Sequence, residues 1–473
     1  MMRLSSKQWY EIERLRAHVM YVLHAHMPYC ILSVLFLWNF FIMWPGHMSP
    51  DSYTQYKAAI HGIFDDHHPP MMSLVWRLLD LIYKGPGLLF LMHLTMLYGS
   101  CLFFMRSSRI KSIQIFYSLF PLIPHVLFYS AMIWKDVGFA FSFLLAIAIL
   151  HFHITQQKHM NMLSIGTIVI LIFYGSAIKF QGQYVAPIII FGIWYCLDSY
   201  RIFFSTLVKT VLCSGLFLSS LQSFNDFFVP PIRKAHSWQC VKIYDLAAMS
   251  LYAQQPLFPT FLKKHPDFSI ATIQKRFNHK RVDDLFMPPN NPLRLGRNEE
   301  ERAQLLTYWQ QTVWHHMPLY LHHRFMNWWT MVTNMPLQQF DTMDFTQFGS
   351  LHWFIALQKA AAHKKVSTVW SSCMHYAGRF VQNFLYAIRY CFKFVFLLPF
   401  MLFYLIFGLI YFKRYGQGMS LLLMNGLSLW FLGVLFFCSM ASDMRYAYIA
   451  ACMTHASHGI AWGLWRKSAI KIT

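Results

Sequence analysis

The sequence predicts an all-α polytopic membrane protein of about ten transmembrane helices, and three observations carry that expectation. Of 473 residues, 56% are hydrophobic and only 12% charged, about half the share of charged residues usual in soluble domains. The apolar residues gather in runs close to the roughly 20 residues a spanning helix needs. Lysine and arginine in the short connections fall mostly on one side of those runs.

The spans follow in order as 28–45, 86–105, 113–133, 137–156, 160–178, 184–200, 203–222, 391–412, 417–440 and 444–465. The 184–200 segment is the shortest, and the 391–412 and 417–440 segments form a hairpin around Lys413 and Arg414. The approach to the first span is basic, and no small-residue cleavage site follows that run, so it is expected to remain a helix. With the N-terminus in the cytoplasm, fourteen basic residues occupy the cytoplasmic pieces, from Arg3, Lys7, Arg14 and Arg16 to Arg466, Lys467 and Lys471. The opposite short loops hold six: Lys57, Arg77, Lys84, Lys135, Lys179 and Arg445. Both termini are therefore expected to be cytoplasmic.

Three parts result. Residues 1–222 form an N-terminal transmembrane module whose first outer loop is 46–85. Residues 223–390 form a polar, mostly helical extracytoplasmic insert, and residues 391–473 the C-terminal helices. The insert is entered through Pro230-Pro231 and includes "EEERAQLLTYWQQTVWHHMPLYLHHRFMNWWTMV", with Pro318 as a break. Dense Trp, Tyr and His of this kind suits the headgroup level of a membrane. Cys240 and Cys373 are the two cysteines of the insert, and a disulfide between them requires an oxidising compartment.

The net charge of +21 raises nucleic acid as a partner, but the pattern excludes it. No zinc-finger spacing, glycine-rich phosphate loop or basic repeat is present. The basic insert instead favours anionic, lipid-borne partners.

Acidic residues show the reverse bias. Asp51, Asp65, Asp66, Asp80, Asp136 and Asp443 all lie in the short outer loops. The first loop reads "SPDSYTQYKAAIHGIFDDHHPP", with a short interfacial helix expected over Tyr53 to Phe64. Asp65, Asp66, His67 and His68 end that helix, and Pro69-Pro70 turn the chain. A carboxylate in a partly desolvated interfacial cleft is a proton acceptor; the plainer alternative is that Asp51 caps the helix. In "MIWKDVGFAF", Lys135 and Asp136 interrupt a span end, where a local Lys–Asp pair has a purely topological alternative. "AIKFQGQY" contributes Lys179, Gln181 and Gln183. "SMASDMRYAYI" contributes Asp443, Arg445 and Tyr446, and a guanidinium there suits a phosphate clamp or a headgroup anchor. Asp51, Asp65, Asp66, His67 and Asp136 also offer oxygen and nitrogen donors for a divalent ion, although no cofactor is indicated.

"SPDS…YKAAIHGIFDDHHPP", "WKD" and "SDMRYAY" together resemble the outer-face signature of the GT-C membrane glycosyltransferases, the superfamily of protein O-mannosyltransferases and the lipid A aminoarabinose transferase. The segment "VWHHMPLYLHHRF" is similar to a recurring piece of their outer insert. The resemblance implies transfer of a sugar from a polyprenyl-phosphate donor to a lipid, glycan or protein acceptor, with inversion, at the extracytoplasmic face of a bacterial inner membrane. It implies Asp51 as general base, Asp136 as supporting carboxylate and Arg445 on the lipid phosphate, with Lys179 or Lys135 assisting. Asp65, Asp66, His67, His68, Gln181 and Tyr446 complete the expected substrate contacts. One departure concerns the base: many O-mannosyltransferases have adjacent Asp-Glu in the first loop, whereas Ser52 follows Asp51 here. Two other classes remain open from the residues. A transporter or lipid flippase places ionisable groups near span centres and uses broken helices. A membrane acyltransferase needs a histidine deep within a span; His151 and His153 lie near the cytoplasmic end of one span, and His455 and His458 lie inside the last.

Overall fold

In a computed structural model of the chain, residues 6–263, 268–278, 282–286, 292–333 and 393–472 are described. The regular elements among them are helices. In the N-terminal part these are α1 (Ser6–Met43), α2 (Pro50–His61), α3 (Pro70–Leu79), α4 (Gly87–Arg106), α5 (Lys111–Leu119), α6 (Pro124–Ser130), α7 (Lys135–Gln156), α8 (Met162–Ile178), α9 (Ala186–Leu197) and α10 (Phe204–Phe228). The insert follows with α11 (Trp238–Ala253), α12 (Ile270–Arg276), α13 (Glu299–His315) and α14 (Met317–Thr333). After it come α15 (Leu398–Tyr415), α16 (Met419–Cys438) and α17 (Tyr448–Ile472).

The protein is a helical, multi-pass membrane protein. Among the described residues, six helices are long and apolar enough to cross a bilayer: Ala25–Met43 within α1, then α4, α7, α10, Phe394–Tyr415 and α16. The expected 113–133 span is not one straight helix. It breaks at Ile123 into α5 with its 3-10 extension and α6, bent by 48°, where Pro121 and Pro124 each remove a backbone donor. The expected 160–178 and 184–200 spans correspond to the shorter apolar helices α8 and α9. The last, α17, is a continuous helix whose apolar run is broken by Thr454, His455, Ser457 and His458, and it is less apolar than the six.

Helix α7 is the axis of the bundle. Its residues from Val137 to Leu144 are almost wholly buried, and it packs on α4, α8, α9, α16 and α17. Small residues permit that approach: a Cβ added to Gly138 would stand 2.6 Å from His93 Nε2. The connections alternate, so residues 44–86, 131–134, 179–185 and 439–447 share one end of the bundle. That end is called the loop end below. The insert has its own smaller core, built on Ile243, Leu246, Leu262, Ile273, Leu293 and Leu305. Cys373 lies outside the described residues.

The first loop folds as a helical hairpin. Ser49 caps α2: its Oγ accepts from Ser52 N–H, and Ser52 Oγ accepts from Ser49 N–H at 3.2 Å. Gly62 ends α2 in the left-handed region at φ 66°, which costs a residue without a Cβ little. Tyr56 and Trp76 stack at 4.8 Å between α2 and α3, and Arg77 Nη1 donates to Ala59 O at 3.1 Å. Ser49→Ala is expected to lower stability by about 0.5–2 kcal/mol, the cost of a lost N-cap, read as a lower thermal midpoint in detergent.

Candidate functional site

Backbone pairing registers the first loop against the start of α7. His47 N–H donates to Ala131 O at 2.7 Å, and Ile133 N–H donates to His47 O at 2.9 Å. Ser52 Oγ donates to Ile133 O at 2.6 Å, and Trp134 Nε1 donates to Ser49 Oγ at 2.7 Å. These bonds place the first turn of α2 beside "WKD". Asp51 lies in that turn, but Ser49 does the capping, so the Asp51 carboxylate is left to point elsewhere.

It meets Arg445. Arg445 Nη1 stands 2.8 Å from Asp51 Oδ2, across 394 residues of sequence. Its Nε lies 3.2 Å from Asp443 Oδ2, and Asp443 Oδ1 accepts the Arg445 N–H at 3.0 Å, fixing the 3-10 turn. The guanidinium stacks on Trp134 at 5.2 Å and Tyr446 at 5.3 Å. The Asp51 side chain keeps 37% exposure and that of Arg445 17%, so both are reachable from solvent. Burial pushes the Tyr446 phenol up to about 12, which keeps it protonated.

Lys135 and Asp136 do not pair with each other. Neighbouring residues at a helix start point about 100° apart, so each finds a different partner. Lys135 Nζ donates to His68 Nδ1 at 3.2 Å. Asp136 Oδ1 takes Lys179 Nζ at 2.5 Å, with both side chains 2% exposed. Lys179 also donates to Tyr446 O at 3.3 Å and lies over Phe139, Phe431 and Tyr446 at 5.3–5.4 Å. This buried pair joins α7, the end of α8 and the 443–447 turn. Lys179→Met leaves a buried carboxylate unpaired, and a loss of about 3–5 kcal/mol is expected. Lys179→Met with Asp136→Leu is expected to recover most of it, as read by thermal midpoints of the three variants.

His68 is neutral here. Burial first, then Lys135, His67 and Arg445, push its pKa from 6.5 down to about 2, consistent with Nδ1 accepting from an ammonium. Burial likewise takes His47 down to about 4. The unfolded chain binds these protons near pH 6.5 and the folded chain only far below. Their contribution is therefore complete above about pH 6.5 and falls as pH drops toward 4 for His47 and 2 for His68. His68→Gln is expected to flatten the acid limb of the stability–pH curve.

Asp65 and Asp66 do not reach the Asp51–Arg445 pair, and His67 touches the cluster only through His68, their rings 4.7 Å apart edge to face. Asp65 Oδ1 accepts from His67 N–H at 2.9 Å, the short-range turn that aspartate favours. Asp66 accepts from the N–H groups of Ala235 and His236, and His67 Nδ1 lies 3.3 Å from Ser237 Oγ. All three fasten the first loop to itself or to the insert. Gln181 is half-buried in the turn after Lys179. Among the described residues, no group of three or more His, Cys, Asp or Glu is arranged to hold a metal ion.

The sequence reading missed a second buried constellation that supports the first. Asp245 on α11 and Arg324 on α14 are both fully buried and 2.7 Å apart, and Trp309 Nε1 donates to Asp245 Oδ2 at 2.9 Å. Arg324 Nη1 and Asn327 Nδ2 donate to Ser439 O at 2.8 and 3.2 Å. Ser442 Oγ donates to Asn327 Oδ1 at 2.6 Å. The insert thereby grips the segment that leads into Arg445. The one signal in the sequence was a carboxylate alone in the apolar run "IYDLAAM".

No family model, no curated protein and no solved structure matches this chain.

Proposed function

We propose that the protein is a membrane glycosyltransferase that moves a sugar from a polyprenyl-phosphate donor to the hydroxyl of a lipid, glycan or protein acceptor. The reaction takes place at the loop end of the bundle, on the extracytoplasmic side of a bacterial inner membrane. The observation that carries the reading is the Asp51–Arg445 pair. A solvent-reachable carboxylate and a stacked guanidinium meet at the boundary between apolar spans and polar loops, with Lys135 and His68 beside them. GT-C-like features and a ten-span topology belong to the same proposal.

In this reading the donor phosphate takes the guanidinium of Arg445 in a forked contact and frees Asp51. Lys135 adds a second positive charge for the leaving group. Asp51 accepts the proton of the acceptor hydroxyl as that oxygen forms its bond to the anomeric carbon. The bond from the anomeric carbon to the phosphate oxygen breaks, its electron pair leaves on polyprenyl phosphate, and the centre inverts. Asp136 is held by Lys179 away from solvent, so it acts as a positioning residue that fixes the floor of the site. Positioning and charge neutralisation supply most of the rate. Membranes containing the full chain are expected to convert polyprenyl-phosphate sugar to polyprenyl phosphate, followed by mass spectrometry of extracted lipids. An unchanged donor pool across acceptor classes overturns the reading.

A second reading, transport, is favoured by one observation. The bent α5–α6 pair places His125 within the bundle, where its Nδ1 lies 3.2 Å from His455 Nε2. Ionisable groups at a broken helix are a transporter feature. Substrate movement across proteoliposomes without consumption of a lipid-linked donor would favour it. The acyltransferase reading has no such support: His151 bonds Ser420 and His458 bonds its own helix at Thr454 O.

A further inference from the structure

At the end of the bundle opposite the Asp51 cluster, α7, α9, α16 and α17 border a partly open cavity of about 180 Å³. That is several times the space one water needs. Its polar lining includes Lys467, Tyr195, Tyr200, His151 and Ser420 together with Gln157 and Gln417, and Ile154, Ile460 and Leu464 form its apolar side. No carboxylate is among the lining residues. The acidic residue of the adjacent connection, Asp198, is taken by Lys209 at 2.7 Å and by Thr206.

Two further observations concern what the cavity accepts. Tyr195 is 1% exposed and lines the cavity, yet among the described residues its hydroxyl makes no hydrogen bond. That hydroxyl borders the cavity space and is open to an incoming acceptor. In addition, α16 starts at the cavity with Gly418 as its N-cap and no side-chain cap. The N–H groups of its first turn are left for an external acceptor, with the positive end of the helix dipole behind them. Gly418 holds φ 104° and lies against Gly408 O, so the turn that presents those groups is fixed by close helix packing.

We propose that this cavity binds a phosphoryl group, with Lys467 supplying the charge and Tyr195 and the first turn of α16 supplying hydrogen bonds. An amine, one phenol, a helix N-terminus and no acid form an anion site, while the Tyr200 and Ser420 hydroxyls are held by Lys158 O and His151. The apolar side suits the first carbons of a lipid tail, so the phosphoryl group has two available sources: a phospholipid headgroup or soluble phosphate. The site is separate from the proposed transfer chemistry and stands without it.

The test titrates full-length protein, delipidated in a neutral maltoside detergent, with phosphatidate, phosphatidylcholine or inorganic phosphate, reading the thermal midpoint. Saturable stabilisation by phosphatidate, exceeding that by phosphatidylcholine, is the expected result. If inorganic phosphate also saturates, the phosphoryl group alone suffices; if it does not, the ligand is a lipid headgroup. Lys467→Gln and Tyr195→Phe are each expected to raise the half-saturating concentration about tenfold, the loss of one charge-assisted or buried contact. Arg106→Gln, at the same end but outside the cavity, is the control and is expected to leave it unchanged. Absence of saturable stabilisation by phosphatidate or phosphate, or an equal loss in Arg106→Gln, overturns the proposal.

Discussion

Asp51→Asn is expected to lower turnover of the lipid-phosphate sugar by about 10²–10⁴-fold, the contribution of a positioned general base, while the fold stays intact. The two effects separate because the Asp51–Arg445 pair is partly exposed. A pair of that kind contributes at most about 1 kcal/mol to stability. Donor consumption is measured alongside thermal midpoint at matched expression. Normal turnover in a folded Asp51→Asn protein would return Asp51 to a role in loop structure. Arg445→Lys gives a sharper second reading: it keeps the charge but loses the fork and the stacking on Trp134, so donor affinity falls without loss of the acceptor base.

Arg324→Met is expected to destabilise the protein by about 3–5 kcal/mol, because the fully buried Asp245 carboxylate loses its guanidinium and is left with the Trp309 N–H and the His323 ring. Combining Arg324→Met with Asp245→Leu is expected to restore most of that loss, since a buried ion pair and an apolar pair of similar volume are often nearly equivalent. The double variant still lacks the Arg324 bond to Ser439 O. Stability therefore recovers while activity does not, if the insert sets the position of the Arg445 turn. Limited proteolysis between residues 238 and 333, with donor turnover on the same samples, distinguishes the two effects.

Which end of the bundle gathers the ionisable groups was legible in the sequence, because charge sits at span ends and loop polarity alternates. "SPDS", "WKD" and "SDMRY" do converge. Their pairing was not legible. Lys135 and Asp136 are adjacent in sequence yet serve opposite sides of a helix, and the partner of Asp136 comes 43 residues later. The capping alternative for Asp51 failed because Ser49, two residues earlier, has the hydroxyl and the extended backbone an N-cap requires. The broken 113–133 span was visible as "FPLIPHV", two prolines inside an apolar run, but apolarity alone reads through them. Arg324 and Asp245 were hidden for a different reason. Each looks like an ordinary polar residue of a soluble insert, and only the fold removes both from water.

The site joins residue 51 to residue 445, and that distance has a consequence during synthesis. At about 5–20 residues per second, the ribosome takes about 20–80 s to travel the 394 residues between them. For that interval the first helices are already inserted while Asp51 has no guanidinium opposite it. A nascent chain stalled anywhere before the final turn lacks the Asp51–Arg445 pair altogether, so the pair forms in one step with the arrival of one arginine rather than growing with length.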